Sequence, residues 1–195
     1  MTTLTLSDYQ AAARLLRTGV AEIKAVQQVE SRGAGFVRGR LVIRFEGHWF
    51  RKLTNRRFDR SHPTISHPYY ADGRFNKGGQ NGEYDRLRVA MTLDIDAALQ
   101  SCSWGMFQIL GIHYELLGYA SVHAMVDDFK TGEAAQLLAF CRFVKAKGID
   151  DELRDHEWDG FALIYNGSNY RAGGYHRKLP KAYEQHVRTA GPPGG

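Results

Sequence analysis

A chain of 195 residues, 43% apolar and 24% charged, is long enough to bury a core and natural as one globular domain. Its 26 Lys and Arg against 21 Asp and Glu give a net charge of +5, which attracts polyanions without choosing among nucleic acid, anionic lipid and bacterial wall polymers. Two cysteines without CxxC spacing exclude a disulfide framework, and no apolar stretch approaches membrane-spanning length.

Aromatic residues make up 12% of the chain, which suits either a groove that stacks on sugar faces or a well-filled aromatic core. Met1 to Asp8 has neither a basic nor an apolar signal region, so a soluble cytoplasmic product is expected. Ser7 with Gln10 reads as a capping box opening a short helix whose apolar stripe is Leu6, Tyr9, Ala13 and Leu16. A second helix runs from Val20 to Glu30 and stops in the glycine stretch Arg32-Gly33-Ala34-Gly35. Within it Ile23, Val26 and Glu30 fall at i, i+3 and i+7, which puts a carboxyl on the stripe that faces the core. Burial raises a carboxyl pKa, as a general acid at neutral pH requires. For a lone glutamate, a solvated helix end is the commoner outcome.

From Phe36 to Phe45 the period changes to two around the turn Arg38-Gly39, predicting a β-hairpin or strand pair. Leu41, Ile43 and Phe45 share one face, and Val42, Arg44 and Glu46 the other. Glu46 therefore either completes a two-carboxylate site, pairs with Arg44, or caps the helix expected from His48 to Thr54. Asn55 to Gly82 is rich in Gly, Pro, Arg and aromatic residues and reads as a ligand-facing loop or an ordered flap. His62 and His67 lack metal-binding spacing and there is no HExxH, so no metal or other cofactor is expected.

Helices follow over Glu83 to Met91 and Asp94 to Cys102, the latter capped by Asp94, and both Cys102 and Cys141 read as core thiols within helical patterns. The apolar run Ser101 to Gly111 is broken by Gln108, a buried amide that serves either a core network or a ligand. Ser121 caps the next helix, Glu133 to Lys147 is stopped by Gly148, and Asp150 caps a short one. A stripe of Trp158, Phe161, Ala162 and Tyr165 ends at Asn166-Gly167, a basic helix spans Tyr175 to Arg188, and Gly191 to Gly195 reads as a disordered tail.

Three separated segments read together carry a resemblance. Glu30 ends a helix, Ser103-Trp104-Gly105-Met106-Phe107-Gln108-Ile109 follows, and Ala162-Leu163-Ile164-Tyr165-Asn166-Gly167 comes last. Their order resembles the lysozyme superfamily, particularly goose-type lysozymes and lytic transglycosylases. With Arg44-Phe45-Glu46-Gly47-His48-Trp49-Phe50 added, the chain from about Ala21 to Tyr183 resembles the N-acetylmuramidase family of phage and prophage endolysins.

The resemblance implies a mainly α, α+β lysozyme-like fold over residues 1–190, with a small β-hairpin element lining a sugar groove. It implies cleavage of the bond between N-acetylmuramic acid and N-acetylglucosamine in peptidoglycan, with Glu30 as catalytic acid and Glu46 as second carboxylate. Gln108, Tyr165 and Asn166 match groove-lining positions, and Trp104 beside them serves either a sugar or the core. The nucleophilic Asp of conventional lysozymes has no counterpart unless Glu46 serves. The glycan strand is the expected partner, with anionic wall polymers or lipids on the basic C-terminal helix, no nucleic acid and a monomeric state. The enzyme is expected to wait in the bacterial cytoplasm until a membrane pore releases it. The rival readings are a lytic transglycosylase using Glu30 alone, a cysteine amidase built on Cys102, and a non-catalytic wall-binding module.

Overall fold

The computed structural model describes residues 3–31, 34–75 and 77–190. Helices α1 (Leu6–Leu16) and α2 (Val20–Ser31) lead into strands β1 (Phe36–Val37), β2 (Arg40–Leu41) and β3 (Ile43–Phe45). Helix α3 (Gly47–Leu53) and a run of turns precede α4 (Asp72–Phe75), α5 (Gly79–Leu93) and α6 (Ile95–Gln100), after which come β4 (Cys102–Trp104) and β5 (Ile109–Leu110). The remainder is helical: α7 (Val122–Thr131), α8 (Glu133–Lys147), α9 (Asp150–Arg154), α10 (Trp158–Asn166) and α11 (Tyr175–Ala190). The expected tail, 191–195, lies outside the described residues.

Local chemistry accounts for most boundaries. Ser121 and Asp94 cap α7 and α6 by accepting the backbone N–H groups of Ala124 and Ala97, and Gly148 closes α8 in the left-handed region at φ 64°. Helix α1, by contrast, is capped by Thr5 and not Ser7. The Asp8 carboxylate accepts the Thr5 N–H at 2.7 Å while the Thr5 hydroxyl accepts the Asp8 N–H, and this charge-assisted box starts the helix ahead of Ser7. Asp150 is likewise the first residue of α9, whose cap position is Ile149, because its carboxylate is engaged by Lys145.

The β structure is larger than a hairpin. β1 and β2 form the expected antiparallel pair around Arg38 and Gly39, both at positive φ. β3 instead pairs with a segment some sixty residues away: Ile43 faces Trp104, Arg44 faces Ser103 and Phe45 faces Cys102, and β4 pairs in turn with β5. The helix expected to reach Cys102 therefore ends at Gln100. A short apolar run fits a buried strand as well as a buried helix, and the unpaired edge of β3 decides between them. Cys102 is thus a fully buried strand residue whose thiol is pushed well above its usual pKa by burial, which removes the cysteine-nucleophile reading.

The outer edge of β3 is covered by side chains of α5. Gln80 bonds both backbone groups of Ile43, accepting its N–H at 2.9 Å and donating to its carbonyl at 2.8 Å, and Glu83 accepts the Phe45 N–H at 2.7 Å. Behind the sheet the core is rich in aromatics, with Phe107 stacked on Phe140 at 4.2 Å between ring centroids. Each large apolar side chain buried there stabilises the fold by about 1.5–3 kcal/mol. Helix α11 packs along α2, where Gln28 donates to Gln185, and so supports the helix that carries Glu30.

Candidate active site

Glu30 lies in the last turn of α2, on the stripe of Ile23 and Val26, both fully buried. Its Oε1 accepts a 2.7 Å hydrogen bond from Nδ2 of Asn166, the last residue of α10. Burial raises the Glu30 pKa from its ordinary 4.5 to about 7, against the opposing pull of the Asn166 hydrogen bond and the positive charges of Lys178 and Arg44. An amide suits both states of such a group, since Nδ2 can donate to a carboxylate and Oδ1 can accept from an acid. The Asn166 Oδ1 is buried and has no hydrogen-bond partner among the described residues.

The facing wall is the sheet. Glu46 follows β3 directly and shares the face of Arg44, and its Oε1 accepts a 2.6 Å hydrogen bond from the Ser103 hydroxyl. Its Oε2 stands 3.6 Å from Nε2 of His48, whose ring meets Tyr69 edge-on at 4.8 Å. Glu46 occupies the cap position of α3, yet its side chain makes no capping bond, so the carboxylate is held toward the Ser103 side of the sheet. Tyr175, at the start of α11, joins the two walls: the charges of Glu30, Arg44 and Glu46 all act on its phenol, which burial pushes up to about 12. Its ring covers Gly173, where a Cβ would come within 2.5 Å of it. Tyr69 contributes to the same environment, so the stretch after Asn55 reaches the site at that residue, and α4 and the start of α5 make part of the expected loop helical.

The remaining sequence candidates divide. Tyr165 stacks on Phe161 and donates its hydroxyl to the Phe107 carbonyl at 2.8 Å, so it ties α10 to the β4–β5 turn beside Glu30. Gln108 closes that turn: at φ 49° it donates Nε2 to the Gly105 carbonyl at 2.9 Å, leaving part of its side chain exposed. Trp104 does not meet the expectation of a sugar contact. The strand pleat sets it with Ile43 on the face opposite Ser103 and Glu46, where it is 3% exposed and its indole N–H donates to the Leu99 carbonyl. Among the described residues, no cluster of three or more His, Cys, Asp or Glu is placed to hold a metal ion.

Beneath the turn sits Gln136 of α8, 1% exposed, which accepts the Met106 N–H at 2.7 Å and donates to the Phe129 carbonyl. One turn earlier Glu133 accepts the Gly35 N–H at 3.1 Å and so anchors the chain beyond α2. Sequence reasoning missed Tyr175, His48 and Ser103 as site residues, met Tyr69 only as one aromatic of the loop after Asn55, and took Lys178 only for part of the basic C-terminal helix. Their nearest signals were the glycine pair before Tyr175 and the serine that opens the Trp104 segment.

A helical body holding a glutamate at a helix end against a small antiparallel sheet is the lysozyme-like class of glycosidase scaffold. The chain matches the N-acetylmuramidase family over residues 19–187 and belongs to it. The crystal structure of the Burkholderia AP3 phage endolysin is similar, at 40% identity and a TM-score of 0.79, over 96% of this chain and 72% of that one. No curated protein matches. The chain is accordingly a glycoside hydrolase acting on peptidoglycan.

Proposed function

We propose that this muramidase cleaves the β-1,4 bond between N-acetylmuramic acid and N-acetylglucosamine, with Glu30 as general acid. The observation that carries the reading is the half-buried Glu30 carboxyl at the end of α2, held at one oxygen by Asn166 at 2.7 Å, with burial raising its pKa. In this mechanism protonated Glu30 donates to the glycosidic oxygen. Glu46, steadied by Ser103 on the opposite wall, activates water or offsets the positive charge that develops on the sugar ring. Gln108, Tyr165 and Asn166 line the groove, the last two also setting the position of Glu30 and of the turn.

Mass spectrometry of peptidoglycan digests tests bond and reaction class together. Reducing muramic acid ends are expected, whereas anhydro-muramic ends would assign a lytic transglycosylase that uses Glu30 alone. Glu30→Gln should leave the fold and wall binding intact and lower turnover at least ~10²-fold, the scale of general acid catalysis. A non-catalytic wall-binding module would show no such loss. Glu46→Gln should also impair turnover, and normal activity there would leave Glu30 to act without it. We further propose that the enzyme acts as a monomer and reaches the wall from the bacterial cytoplasm through a membrane pore. Among the described residues no helix is long and apolar enough to cross a membrane. Lysis that needs no co-expressed pore would reject that route.

A further inference from the structure

A cavity of about 490 Å³ opens behind the sheet, bounded by the β1–β2 pair, α5 and α7. Its depth is apolar: Leu41, Leu87, Leu99 and Trp104 line it and are each less than a tenth exposed. Its rim is cationic, with Arg40, Arg88 and Lys130 all exposed at the surface and Met91 half-open beside them. No carboxylate lines it. The Arg40 guanidinium lies on the Tyr84 ring at 3.6 Å. Arg88 and Lys130 pair with Asp85 and Asp127 at 3.0 and 2.9 Å, but all four groups are more than half exposed, and such surface pairs exchange readily with other anions.

The strand pleat separates this cavity from the Glu30 cleft, because Trp104 faces away from Ser103 and Glu46. The group that matches it has an apolar body and one anionic end. The volume falls in the lower part of the roughly 300–1,000 Å³ usual for small-molecule pockets, room for one chain and not for the pair of a bilayer lipid. We propose that the cavity binds one long-chain fatty-acid anion, its chain against Leu87, Leu99 and Trp104 and its carboxylate among Arg40, Arg88 and Lys130. The proposal stands independently of the roles given to Glu30 and Glu46.

Titration calorimetry with dodecanoate below its micelle concentration tests this, read in parallel by the intrinsic tryptophan fluorescence, to which Trp104 contributes with Trp49 and Trp158. One saturable site per chain is expected. Each methylene buried is worth about a fourfold gain in affinity, so octanoate should bind at least about tenfold more weakly. Dodecyltrimethylammonium, with the same tail and opposite charge, should bind at least about tenfold more weakly as well. Neutralising the exposed rim with R40Q, R88Q and K130Q together should weaken dodecanoate binding and leave melting near that of the parent, and M91W should block entry. No saturable dodecanoate binding, or equal binding of the cationic amphiphile, overturns the proposal. Rim-dependent binding to phosphatidylglycerol vesicles without dodecanoate binding overturns it too, since the cations would then serve a bilayer surface.

Discussion

A carboxyl that ionises near 7 is a compromise between turnover and stability, and Glu30 shows both sides of it. In the unfolded chain it ionises at its ordinary 4.5, and in the fold at about 7, so between those values the folded state holds the extra proton. Stability therefore falls as pH rises from about 4.5 to about 7, and the full cost is present above 7. Glu30→Gln removes that cost. Its unfolding free energy should match the parent's near pH 4 and exceed it at pH 8, by at most about 3 kcal/mol, read from denaturation midpoints. Equal midpoints at both values would mean that Glu30 is solvated.

The alkaline limb of the activity profile should report the same group, falling through about 7. Asn166 and Arg44 both favour the ionised form, so Asn166→Ala and Arg44→Gln should each displace the limb to higher pH. A fixed limb with lower activity would make Asn166 a substrate contact alone. Helical spacing sets Glu30 on the stripe of Ile23 and Val26, and the resemblance of the three segments then singles it out as the acid. Tyr175 and Ser103 could not be picked out in this way, since both enter the site through tertiary pairing: one by α11 lying along α2, the other by β4 meeting β3.

Helices were legible where a cap or stop residue marked an end, as Ser121 does for α7 and Gly148 for α8. The β4–β5 hairpin was not, because its apolar run carries no period, and only the partner strand tells strand from helix. That hairpin depends on a glycine. Gly105 sits at φ 71° with room for no side chain, since a Cβ would lie 2.5 Å from Oε1 of Gln136. Gly105→Ala should cost at least about 1–2 kcal/mol from the left-handed backbone alone. Gln136→Leu leaves the Met106 N–H without its acceptor and should cost about 1–3 kcal/mol. Both belong to the support of the turn that carries Gln108, and urea midpoints check them directly.

For the molecule as a whole, the helix-rich outline and the small β insertion after α2 were readable from periodicity, while the second layer of strands and the cavity behind it required the fold. The surplus positive charge also acts at this scale. Arg177, Lys181 and Arg188 lie exposed on α11, next to the Lys178 that acts on Glu30. If they draw the enzyme to anionic wall polymers or lipids, lytic rate should fall as salt rises from low to physiological strength, and less steeply in R177Q/K181Q. A rate indifferent to salt would make that face an ordinary solvated surface.

The side chains of Gln80 and Glu83 stand where a fourth strand would otherwise hydrogen-bond to β3. An open strand edge invites another chain to add itself, and here the edge belongs to the strand that bears Arg44 and leads into Glu46. Their bonds thus act as a barrier to polymerisation. In Q80A/E83A the exposed amides of Ile43 and Phe45 should recruit neighbouring molecules during refolding, seen as light scattering that grows with protein concentration. A variant that refolds as clear as the parent would show that the bulk of α5, and not its two polar side chains, keeps the chains apart.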